Sequence, residues 1–516
     1  MPKIASAELG TKVRSYAEIE SILDSMRRSG QKIVQCHGVF DLLHPGHIRH
    51  FRDAKAQGDC LVVTVTPDRF VNKGPGRPVF TEMLRLEAIA ALADVDYVIL
   101  NDSPDAVTAI QRVKPDFYAK GIEYLNHSKD VTGKISEESA AVESVGGKIY
   151  YTDDLVFSSS ALLNRHFEQM PAKVVEFLAQ LKDQYSSENI IEKINSLSSL
   201  NVLVVGDAII DEYQYAETLG QTGKGQHMVA RCLDRDVFLG GSLIIANHVA
   251  QFAGKVTLMT ALGKECPHLP LIRHNLATNV EADFVYLEEN TTLTKKRYVL
   301  KDGKTLVKLF ETYSGQEDAL NEEQTDRFIK TLKKKSQEYD LVLVADFGNG
   351  FTNQRLIEAL CDTSGFLALN TQTNSGNRGY NVVTNYRRAD YISLNEPELR
   401  LSAHDRTSSL EGIIVDVAQI MEAKTVSITR GVNGLTCFQQ PNTFIEIPAF
   451  ATSSVDRIGA GDSYLSLSAL CLAKGFSPLL AGFIGSVAAA ISVQIVGNQE
   501  PIKKVPLCKF ITRLMK

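Results

Sequence analysis

Residues 32–50 of the chain read KIVQCHGVFDLLHPGHIRH. Residues 32–36 form a short apolar run of the kind that builds a buried parallel strand, and Gly38 follows in a turn. The tetrapeptide HPGH then opens a predicted helix. A strand that leads through a glycine-bearing turn to a helix N-terminus presents backbone N–H groups and the positive end of the helix dipole to an anion. The stretch therefore predicts an α/β unit with a phosphate site at this turn.

The rest of the chain repeats the alternation of strand and helix. After residue 50, the alternating runs are CLVVTV (60–65), TEMLRLEAIAAL (81–92), DYVIL (96–100), DAVTAIQRV (105–113) and DFYAK (116–120). This rhythm predicts a parallel sheet with helices on both faces. A second apolar run, NVLVV at 201–205, leads into another glycine-containing turn, and residues 171–200 predict a helix, a polar break and a second helix. We therefore predict a first domain over 1–170, a helical linker over 171–198 and a second α/β domain over 199–516.

The totals limit the class of protein. The 516 residues include 44% hydrophobic and 22% charged residues, and the formal net charge is -6, which argues against a general nucleic-acid or anionic-membrane binder. The eight cysteines are scattered without a C-x-x-C pair, so neither a zinc site nor a disulfide framework is indicated. The N-terminus lacks a secretory apolar stretch, and the later apolar runs are too short to span a bilayer. We expect a soluble cytoplasmic protein.

His44 and His47 could be metal ligands, a general base with its helper or donors to an anion, and a plain structural role is the default for an arbitrary H-x-x-H pair. Histidine pairs that bind a metal from one helix usually stand four residues apart, and we expect Pro45-Gly46 to interrupt helical spacing here. Two imidazoles beside a helix N-terminus can instead add N–H donors around a phosphate. The strand, turn and helix context favours the phosphate interpretation.

The pattern G-x-F-D-x-x-H-x-G-H resembles the signature of the cytidylyltransferase-like nucleotidyltransferases, over about residues 30–167. It is formed by Gly38, Phe40, Asp41, His44, Gly46 and His47. Within that superfamily the stretch is most similar to the adenylyltransferase domain of bifunctional heptose-phosphate enzymes. The resemblance implies a Rossmann-like domain in which a sugar phosphate attacks the α-phosphorus of ATP or CTP and pyrophosphate leaves. It also implies that His44 and His47 stabilise the pentacoordinate centre.

Further stretches of the first half resemble the same family. GRPVFTEMLRLEAIAAL (76–92) carries Arg77 and Arg85, and YAKGIEY (118–124) carries Lys120 at a predicted strand end. FSSSALL (157–163) resembles a late helix start at which Ser159 and Ser160 approach phosphate. Lys73, in VNKGPGR, is a candidate partner of the triphosphate, with a solvated loop lysine as the alternative.

The second half contains its own anion motif, VDRIGAGDSYLSLSAL at 455–470. Gly459, Ala460 and Gly461 allow close approach of the backbone to a ligand, and the N–H groups at the following helix start form an anion nest. Asp462 is either a helix N-cap or a positioned base. The full D-x-x-G-A-G-D, which begins at Asp456, combines an anion site with a base.

This motif resembles the second signature of the ribokinase-like (PfkB) carbohydrate kinases, and the likeness runs over about 199–505. The resemblance implies that Asp462 takes the proton of the attacking sugar hydroxyl while Gly459 to Gly461 hold the developing charge. GDAIIDEY (206–213) then supplies a sugar-binding Asp211, and FLGG (238–241) supplies Gly240 and Gly241 over the sugar. LNEPE (394–398) supplies Asn395 and Glu398 for magnesium and phosphate, and ITRGVNG (428–434) resembles the strand end near the nucleotide.

Two positions depart from the heptose-type kinases. Ser242-Leu243-Ile244 stands where Ala-Ala-Asn is usual, so Ile244 replaces a sugar-contacting asparagine. Asn349, in ADFGNG, stands where lysine is usual. Both changes touch the sugar side, which implies a different kinase substrate or weaker sugar binding.

The sequence thus predicts an α/β protein with an N-terminal Rossmann-like nucleotidyltransferase domain and a C-terminal ribokinase-like domain. We expect a bifunctional enzyme that phosphorylates a sugar or sugar phosphate with ATP and Mg²⁺ and makes a nucleotide sugar from a sugar phosphate, with the domains in the reverse of the heptose enzymes' order. Its partners would be small-molecule sugar phosphates and nucleotides, without nucleic acid or membrane, and the resemblance allows a homodimer through the kinase domain. Two alternatives stay open: a CDP-polyol or CDP-sugar-forming enzyme fused to a kinase of different specificity, and a non-catalytic pseudokinase half.

Overall fold

A computed structural model of the chain describes residues 12–71, 74–75, 77–122, 134–152, 170–223, 225, 227–302, 305–315, 320–451 and 453–516. The chain forms two compact units. The first comprises residues 1–175 together with 508–516, and the second comprises residues 176–507. The predicted boundaries at 170 and 198 stay a prediction.

The first unit is built on a five-stranded parallel sheet in the order β3-β2-β1-β4-β5. Its strands are β1 (Ile33–Gly38), β2 (Cys60–Val65), β3 (Tyr97–Leu100), β4 (Phe117–Gly121) and β5 (Lys148–Thr152). Its described helices up to residue 152 are α1 (Tyr16–Arg28), α2 (Pro45–Lys55), α3 (Glu82–Ala90), α4 (Val107–Val113) and α5 (Lys134–Ser144). The strands and helices predicted between residues 32 and 120 are all confirmed.

The central position of β1 decides where a ligand can bind in this unit. Val34 of β1 pairs with Leu61 of β2 on one side and with Phe117 of β4 on the other. The sheet grows from β1 in opposite directions at this point, because β2 and β3 lie on one side and β4 and β5 on the other. In open parallel sheets a ligand crevice forms outside the carboxyl ends of the strands at such a switch point. The turn after β1 and the end of β4 lie where such a crevice is expected.

Two consecutive helices follow residue 170. They are α6 (Ala172–Gln184) and α7 (Ser187–Ser196), and the hydroxyl of Ser186 caps α7 by accepting from the Asn189 N–H. The predicted helix, polar break and helix are confirmed. Ser186 favours the start of the second helix because it satisfies one of the N–H donors that are exposed there.

The second unit contains a nine-stranded sheet in the order β10-β9-β6-β13-β14-β15-β16-β17-β18. Neighbouring strands are parallel from β10 through β16, and the last two pairs are antiparallel. The strands are β6 (Asn201–Gly206), β9 (Lys255–Glu265), β10 (Val280–Thr291), β13 (Leu341–Asp346), β14 (Phe366–Thr371), β15 (Tyr391–Asn395), β16 (Thr425–Thr429), β17 (Leu435–Gln439) and β18 (Thr443–Ile447). The parallel part has the near-continuous apolar strands that a sheet covered on both faces requires.

A separate four-stranded sheet, in the order β12-β11-β7-β8, belongs to the same unit. It consists of β7 (Ala208–Gln221), β8 (Met228–Gly241), β11 (Thr294–Asp302) and β12 (Thr305–Ser314). Because β7 starts two residues after β6 ends, the chain passes from the large sheet into the small one at Asp207. The buried ends of β7, β8 and β11 thereby reach the interior of the unit.

The helices of the second unit flank its large sheet. They are α8 (Ser242–Ala250), α9 (Leu269–Asn275), α10 (Glu322–Lys335), α11 (Gln354–Cys361), α12 (Glu396–Ser402), α13 (Leu410–Ile420), α14 (Ala460–Ala473) and α15 (Pro478–Ser492). A last helix, α16 (Lys504–Leu514), follows, and its residues from Cys508 onward belong to the first unit. In the described residues, no helix combines the length and apolar character needed to cross a membrane.

Candidate active sites

The turn after β1 places His44 at the N-terminus of α2. His44 is the extended residue that caps the helix, and its Nδ1 accepts a hydrogen bond from the Gly46 N–H at 3.1 Å. Burial lowers the pKa of His44 below the ordinary value, which favours the neutral ring. With Nδ1 as an acceptor, the neutral ring carries its proton on Nε2. His44 is therefore a helix cap whose neutral ring acts as an acceptor at Nδ1 and as a donor at Nε2.

His47 lies one turn into the same helix, against His44. The two imidazole rings stack with centroids 4.0 Å apart and planes inclined by 29°, and Phe40 packs edge-on to His47 at 5.3 Å. Pro45 occupies the first turn of α2, where its missing N–H costs nothing. The expectation that Pro45-Gly46 interrupts helical spacing is therefore wrong, since this pair begins the helix. In the described residues, no group of three or more histidine, cysteine, aspartate or glutamate side chains could hold a metal.

Asp41 holds the turn rather than facing a reaction. Its buried carboxylate accepts from the backbone N–H groups of Val79 and Phe80 at 2.7 and 3.2 Å, and from the Arg77 guanidinium at 3.0 Å. The side chains of Arg77 and Asp41 are each 1% exposed. The Arg77 guanidinium balances the charge of the Asp41 carboxylate. Through these contacts, Asp41 holds the turn before His44 against the segment around Arg77.

Arg85 also binds the turn that follows β1. Its buried guanidinium donates to the carbonyls of Val39 and of Thr66, the latter at 2.9 Å, and pairs with Asp68 at 2.7 Å. It thus joins the turns that follow β1 and β2. Arg77 and Arg85, which the family pattern singled out, both hold loops of the site, Arg77 through the Asp41 carboxylate and Arg85 through backbone carbonyls.

Lys120 lies at the end of β4, beside β1 across the switch point. Its ammonium pairs with the buried carboxylate of Glu138, in α5, at 2.6 Å. Glu138 was not predicted from the sequence. Its helix contains several polar residues, and no local pattern distinguishes the glutamate that pairs with Lys120 from the others. Lys73, Ser159 and Ser160 lie outside the described residues.

In the second unit, Gly459 to Asp462 form the start of α14. Gly459 has φ +81° and precedes the helix, and a Cβ there would lie 2.2 Å from Asn498 Oδ1, so only glycine fits. Asp462 is buried in the first turn, where burial, with the nearby Asp211 charge next in importance, raises its pKa to about 7. A carboxylate with this pKa can accept a proton near neutral pH. Ala460 and Gly461 complete a turn of small residues.

Asp211 is a buried carboxylate on β7 that is bound on both oxygens. Arg297 donates to Oδ1 at 2.5 Å, and the Asn498 amide donates to Oδ2 at 3.1 Å. Gly240 allows this arrangement, since a Cβ there would lie 2.5 Å from Asp211 Oδ2. Gly241, with φ +57°, then turns the chain into α8. The predicted Asp211, Gly240 and Gly241 thus lie together, and Asp211 contributes to the electrostatics of Asp462.

Sequence reasoning missed the two cations of this site. Lys295 and Arg297, on β11, are both buried, and each lowers the pKa of Asp462. Burial lowers the pKa of Lys295 itself. The signal in the sequence is alternation, because residues two apart in a strand face the same side. Lys296, between them, pairs instead with Glu212.

The two departures from the family pattern are buried. Ile244 is 2% exposed in α8, and Asn247, one turn later, is bound to the carbonyl of Asn275 and the N–H of Ala277. Asn247 therefore does not supply the missing polar group. Asn349 is 8% exposed and accepts a hydrogen bond from the Asn374 amide at 3.3 Å. Neither position presents a cation.

Asn395 and Glu398 form a capping box at the start of α12. The Asn395 side chain accepts from the Glu398 N–H at 2.8 Å, and the Glu398 carboxylate accepts from the N–H groups of Asn395 and Thr373. Burial raises the pKa of Glu398 to about 7. Each carboxylate oxygen accepts one of these bonds and keeps a lone pair. The pair therefore fits Mg²⁺ held through one carboxylate, water and substrate phosphates.

A cleft of about 910 Å³ lies at the carboxyl ends of β15 and β16. Its lining includes Asn395 and Thr429 at the two strand ends and the basic side chains of Arg378, Arg400, Arg406 and Arg430. Arg400 and Arg430 are anchored by Glu396, at 2.9 and 3.7 Å. A basic cleft at parallel strand ends is suited to a polyphosphate.

A buried carboxylate at a glycine-bearing helix start, beside two cations, suits the transfer of a phosphoryl group to a neutral hydroxyl. The fold and this site have the features of a carbohydrate kinase. The chain belongs to the pfkB family of carbohydrate kinases, whose model matches residues 199–505. A cytidylyltransferase-like model matches residues 36–193. The predicted fold, a Rossmann-like nucleotidyltransferase domain followed by a ribokinase-like domain, is confirmed.

Curated relatives match the nucleotidyltransferase region. The "Bifunctional protein HldE" of Gluconobacter oxydans (strain 621H) is 38% identical over 153 residues, 29% of this chain and 30% of that protein. The protein of the same name from Helicobacter pylori (strain J99) is 36% identical over 150 residues, 28% of this chain and 30% of that protein. The chain thus spans about a third of the length of the curated relatives it matches.

Solved structures align with about three fifths of the chain. Arabidopsis thaliana ribokinase, complexed with ribose and ATP, aligns at a TM-score of 0.46 and 19% identity, covering 62% of this chain and 99% of the ribokinase. Escherichia coli phosphofructokinase-2, in complex with potassium, aligns at a TM-score of 0.49 and 16% identity, covering 62% and 100%.

Proposed function

We propose that the chain is a bifunctional sugar-activating enzyme. Its second unit transfers the γ-phosphoryl group of ATP to a hydroxyl of a sugar or sugar phosphate, and its first unit transfers a nucleotidyl group to a sugar phosphate and releases pyrophosphate. The observation that carries the proposal is the presence of two separate anion sites at helix N-termini, each with the functional groups that its own reaction needs. The relatives named HldE are bifunctional, which supports two activities in one chain.

In the first unit, the attacking group is a phosphate oxygen of the sugar phosphate. It bonds to the α-phosphorus of the nucleotide as the bond to the bridging oxygen breaks, and the electron pair leaves with pyrophosphate. The N–H groups at the start of α2 and the Nε2–H of His44 bind the oxygens on which charge accumulates. His47, stacked on His44, supplies a second imidazole to the same face. Lys120 supports the phosphates at the switch point, and Lys73, Ser159 and Ser160 are further candidates for this role.

In the second unit, the attacking group is a sugar hydroxyl, which must lose a proton. Asp462 accepts that proton as the oxygen bonds to the γ-phosphorus and the bond to the β-phosphate oxygen breaks. The N–H groups of the Gly459–Gly461 turn receive the charge of the transferring phosphoryl group. Asp211 positions the acceptor from β7, and the Gly240-Gly241 turn lies against it.

The basic cleft at β15 and β16 is proposed to hold ATP, with its phosphates directed by Arg430 and by the start of α12. Glu398 and Asn395 would hold Mg²⁺ there. When bound, this ion would neutralise the charge on the β- and γ-phosphates. The proposed nucleotide of the first unit is ATP, and CTP is the alternative.

A kinase acceptor other than the heptose phosphate has specific support. The carboxylate of Asp211 is already bound by Arg297 and Asn498, and Ile244 and Asn349 remove two polar contacts of the heptose-type kinases. Lys295 and Arg297 place positive charge on the acceptor side of Asp462. An acceptor that carries an anionic group, with a different pattern of hydroxyls, fits this site best.

The proposal is tested on the purified full-length chain. Each nucleoside triphosphate is incubated with a panel of sugar 1-phosphates, and the nucleotide sugar is detected by mass. ATP is incubated separately with sugars and sugar phosphates, and ADP is followed. Two independent sites are supported if His47→Ala lowers pyrophosphate release about a hundredfold and leaves ADP release intact, while Asp462→Asn lowers ADP release and leaves pyrophosphate release intact. Activity in neither assay would refute the proposal, and ADP release without any acceptor phosphorylation would favour the pseudokinase alternative.

A further inference from the structure

The last residues of the chain belong to the nucleotidyltransferase unit. Residues 508–516 group with residues 1–175, although the pfkB family match ends at residue 505. They form the last turns of α16, in which Phe510 is fully buried and Arg513 is 8% exposed. A terminal segment beyond the kinase fold is thus part of the first unit's packing.

The contact of this segment is with the Gly74–Arg77 turn. Arg513 donates to the carbonyl of Pro75 at 3.0 Å in a buried hydrogen bond. The ring of Phe510 lies against Gly74, where a Cβ would come within 2.5 Å of it, and Gly74 has φ +88°. Arg513 also lies over the Phe510 ring at 5.3 Å. The turn therefore requires glycine both for its backbone conformation and for the space that Phe510 occupies.

The same turn is joined to the candidate active site. The Arg77 N–H closes it by donating to the Gly74 carbonyl at 3.3 Å, and the Arg77 side chain pairs with Asp41. Asp41 also accepts hydrogen bonds from the N–H groups of Val79 and Phe80. Asp41 itself stands three residues before His44, which caps α2. Because the side chains of Arg77 and Asp41 are each 1% exposed, a shift of the turn moves Arg77 and, through Asp41, the loop that ends at the histidines.

We propose that Phe510 and Arg513 are positioning residues for nucleotidyl transfer. They hold the Gly74–Arg77 turn so that Arg77 and Asp41 keep the start of α2 in register with the nucleotide phosphates. This inference rests on the proposed function of the first unit. It assigns to the C-terminal segment a role in the reaction of the N-terminal unit.

The first test replaces Arg513 in the full-length chain. Arg513→Met keeps the length of the side chain and removes its donors, whereas Arg513→Lys keeps one donor. We expect Arg513→Met to raise the KM for the nucleoside triphosphate in pyrophosphate release about tenfold, a smaller effect than the ~10²-fold loss that a misplacement of about 1 Å can cause. Arg513→Lys should recover most of the loss. The rate of ADP release should be unchanged, and Thr512→Ala, whose hydroxyl bonds within α16 to the Cys508 carbonyl, is the matched control.

A purely structural role would have a different signature. Destabilisation lowers the amount of active enzyme, and so lowers the apparent kcat without changing KM. That result, or equal losses of both activities, would overturn the proposal. Phe510→Ala provides a second variant, and it should raise the same KM.

Amide hydrogen exchange gives a readout that does not depend on activity. The N–H groups of Val79 and Phe80 should exchange faster in Arg513→Met than in the unsubstituted chain, because their acceptor Asp41 loses its fixed partner. Unchanged exchange at these two amides would overturn the inference even if the unsubstituted chain released no pyrophosphate. Faster exchange with an unchanged KM would also overturn it. Absence of pyrophosphate release from the unsubstituted chain, by contrast, would count against the proposed function.

Discussion

The two candidate sites use the same backbone device with different side chains. Each places the N-terminus of a helix shortly after a glycine: Gly38 is the last residue of β1 ahead of the turn into α2, and not a turn residue as predicted, and Gly459 directly precedes α14. The first site adds two stacked imidazoles, and burial lowers the pKa of His44. The second adds Asp462, whose pKa burial raises to about 7. One site therefore offers donors, and the other offers a base.

The difference follows from the proposed nucleophiles. A phosphate monoester has a second pKa of about 6, so it is already largely ionised at neutral pH and needs no base. A sugar hydroxyl must be deprotonated as it attacks, so it does need one. A site for the first kind of nucleophile requires only stabilisation of the developing charge, whereas a site for the second must also hold a carboxylate away from water. Each of the following predictions tests this contrast.

The largest effect is expected for Asp462→Asn. The amide cannot accept the hydroxyl proton, so the kcat of ADP release should fall by about 10³, within the range measured for general bases. Pyrophosphate release should not change. Asp416→Asn, an exposed carboxylate on α13 of the same unit, is the control and should leave both rates unchanged. A loss of less than about threefold would show that Asp462 is only a residue of the helix start.

The imidazoles of the first unit should contribute through donated hydrogen bonds. His44→Ala and His47→Ala should each lower the kcat of pyrophosphate release by about 10², as expected for the loss of one preorganised donor. ADP release should stay unchanged.

Because His44 also caps α2, His44→Asn separates its two roles. Asparagine is a favoured N-cap, so the helix start is kept while the imidazole N–H is lost. If the asparagine variant has the activity of the unsubstituted chain, capping alone explains His44. If it is as impaired as the alanine variant, the imidazole contributes to the reaction itself.

The pH dependence of the two reactions should differ as well. Asp462 acts in its ionised form and has a pKa of about 7, so ADP release should rise as the pH rises through 7. One unit below its pKa about a tenth of the carboxylate is ionised, so the rate at pH 6 should be roughly tenfold below its plateau. Glu398 also has a pKa raised to about 7, and its charge raises the pKa of Asp462. In Glu398→Gln the remaining ADP release should therefore still rise with pH, and the rise should move to lower pH. A flat profile from pH 6 to 8 would contradict the assignment of Asp462.

The sequence predicted most of the fold because its signals are local. Most strands of the five-stranded sheet and of the parallel part of the nine-stranded sheet are mainly apolar runs, and β1 and β6 were located to within one residue at their starts. His44, Asp462 and the Gly459–Gly461 turn were also predicted, since each lies within a motif that joins a turn to a helix. Apolar runs and turn-to-helix motifs depend on neighbouring residues, so a short stretch of sequence is enough to predict them.

The partners of these groups could not be predicted, because they come from distant elements. Lys295 and Arg297 reach Asp462 from β11, and Glu138 reaches Lys120 from α5. The interruption expected at Pro45-Gly46 was wrong because proline at a first helical position needs no N–H acceptor. Glu398 was predicted as a metal ligand, and its place in a capping box with Asn395 came only from the structure.

The smallest expected effect is a change in the pH dependence of ADP release in Asp211→Asn, which tests the electrostatics of the second site alone. The charge of Asp211 raises the pKa of Asp462, whereas Lys295 and Arg297 lower it. Asp211→Asn removes the first influence and leaves the cations in place, so the pKa of Asp462 should fall. The rise of ADP release with pH should then move to lower pH by about one unit or less, the scale of a partly compensated neighbouring charge. Glu217→Gln, which neutralises an exposed carboxylate on the same strand, should not move it. A shift to higher pH would mean that Asp211 serves mainly to hold Arg297 beside Asp462. If Arg297 moved away, the pKa of Asp462 would rise, because the charge of Arg297 lowers it.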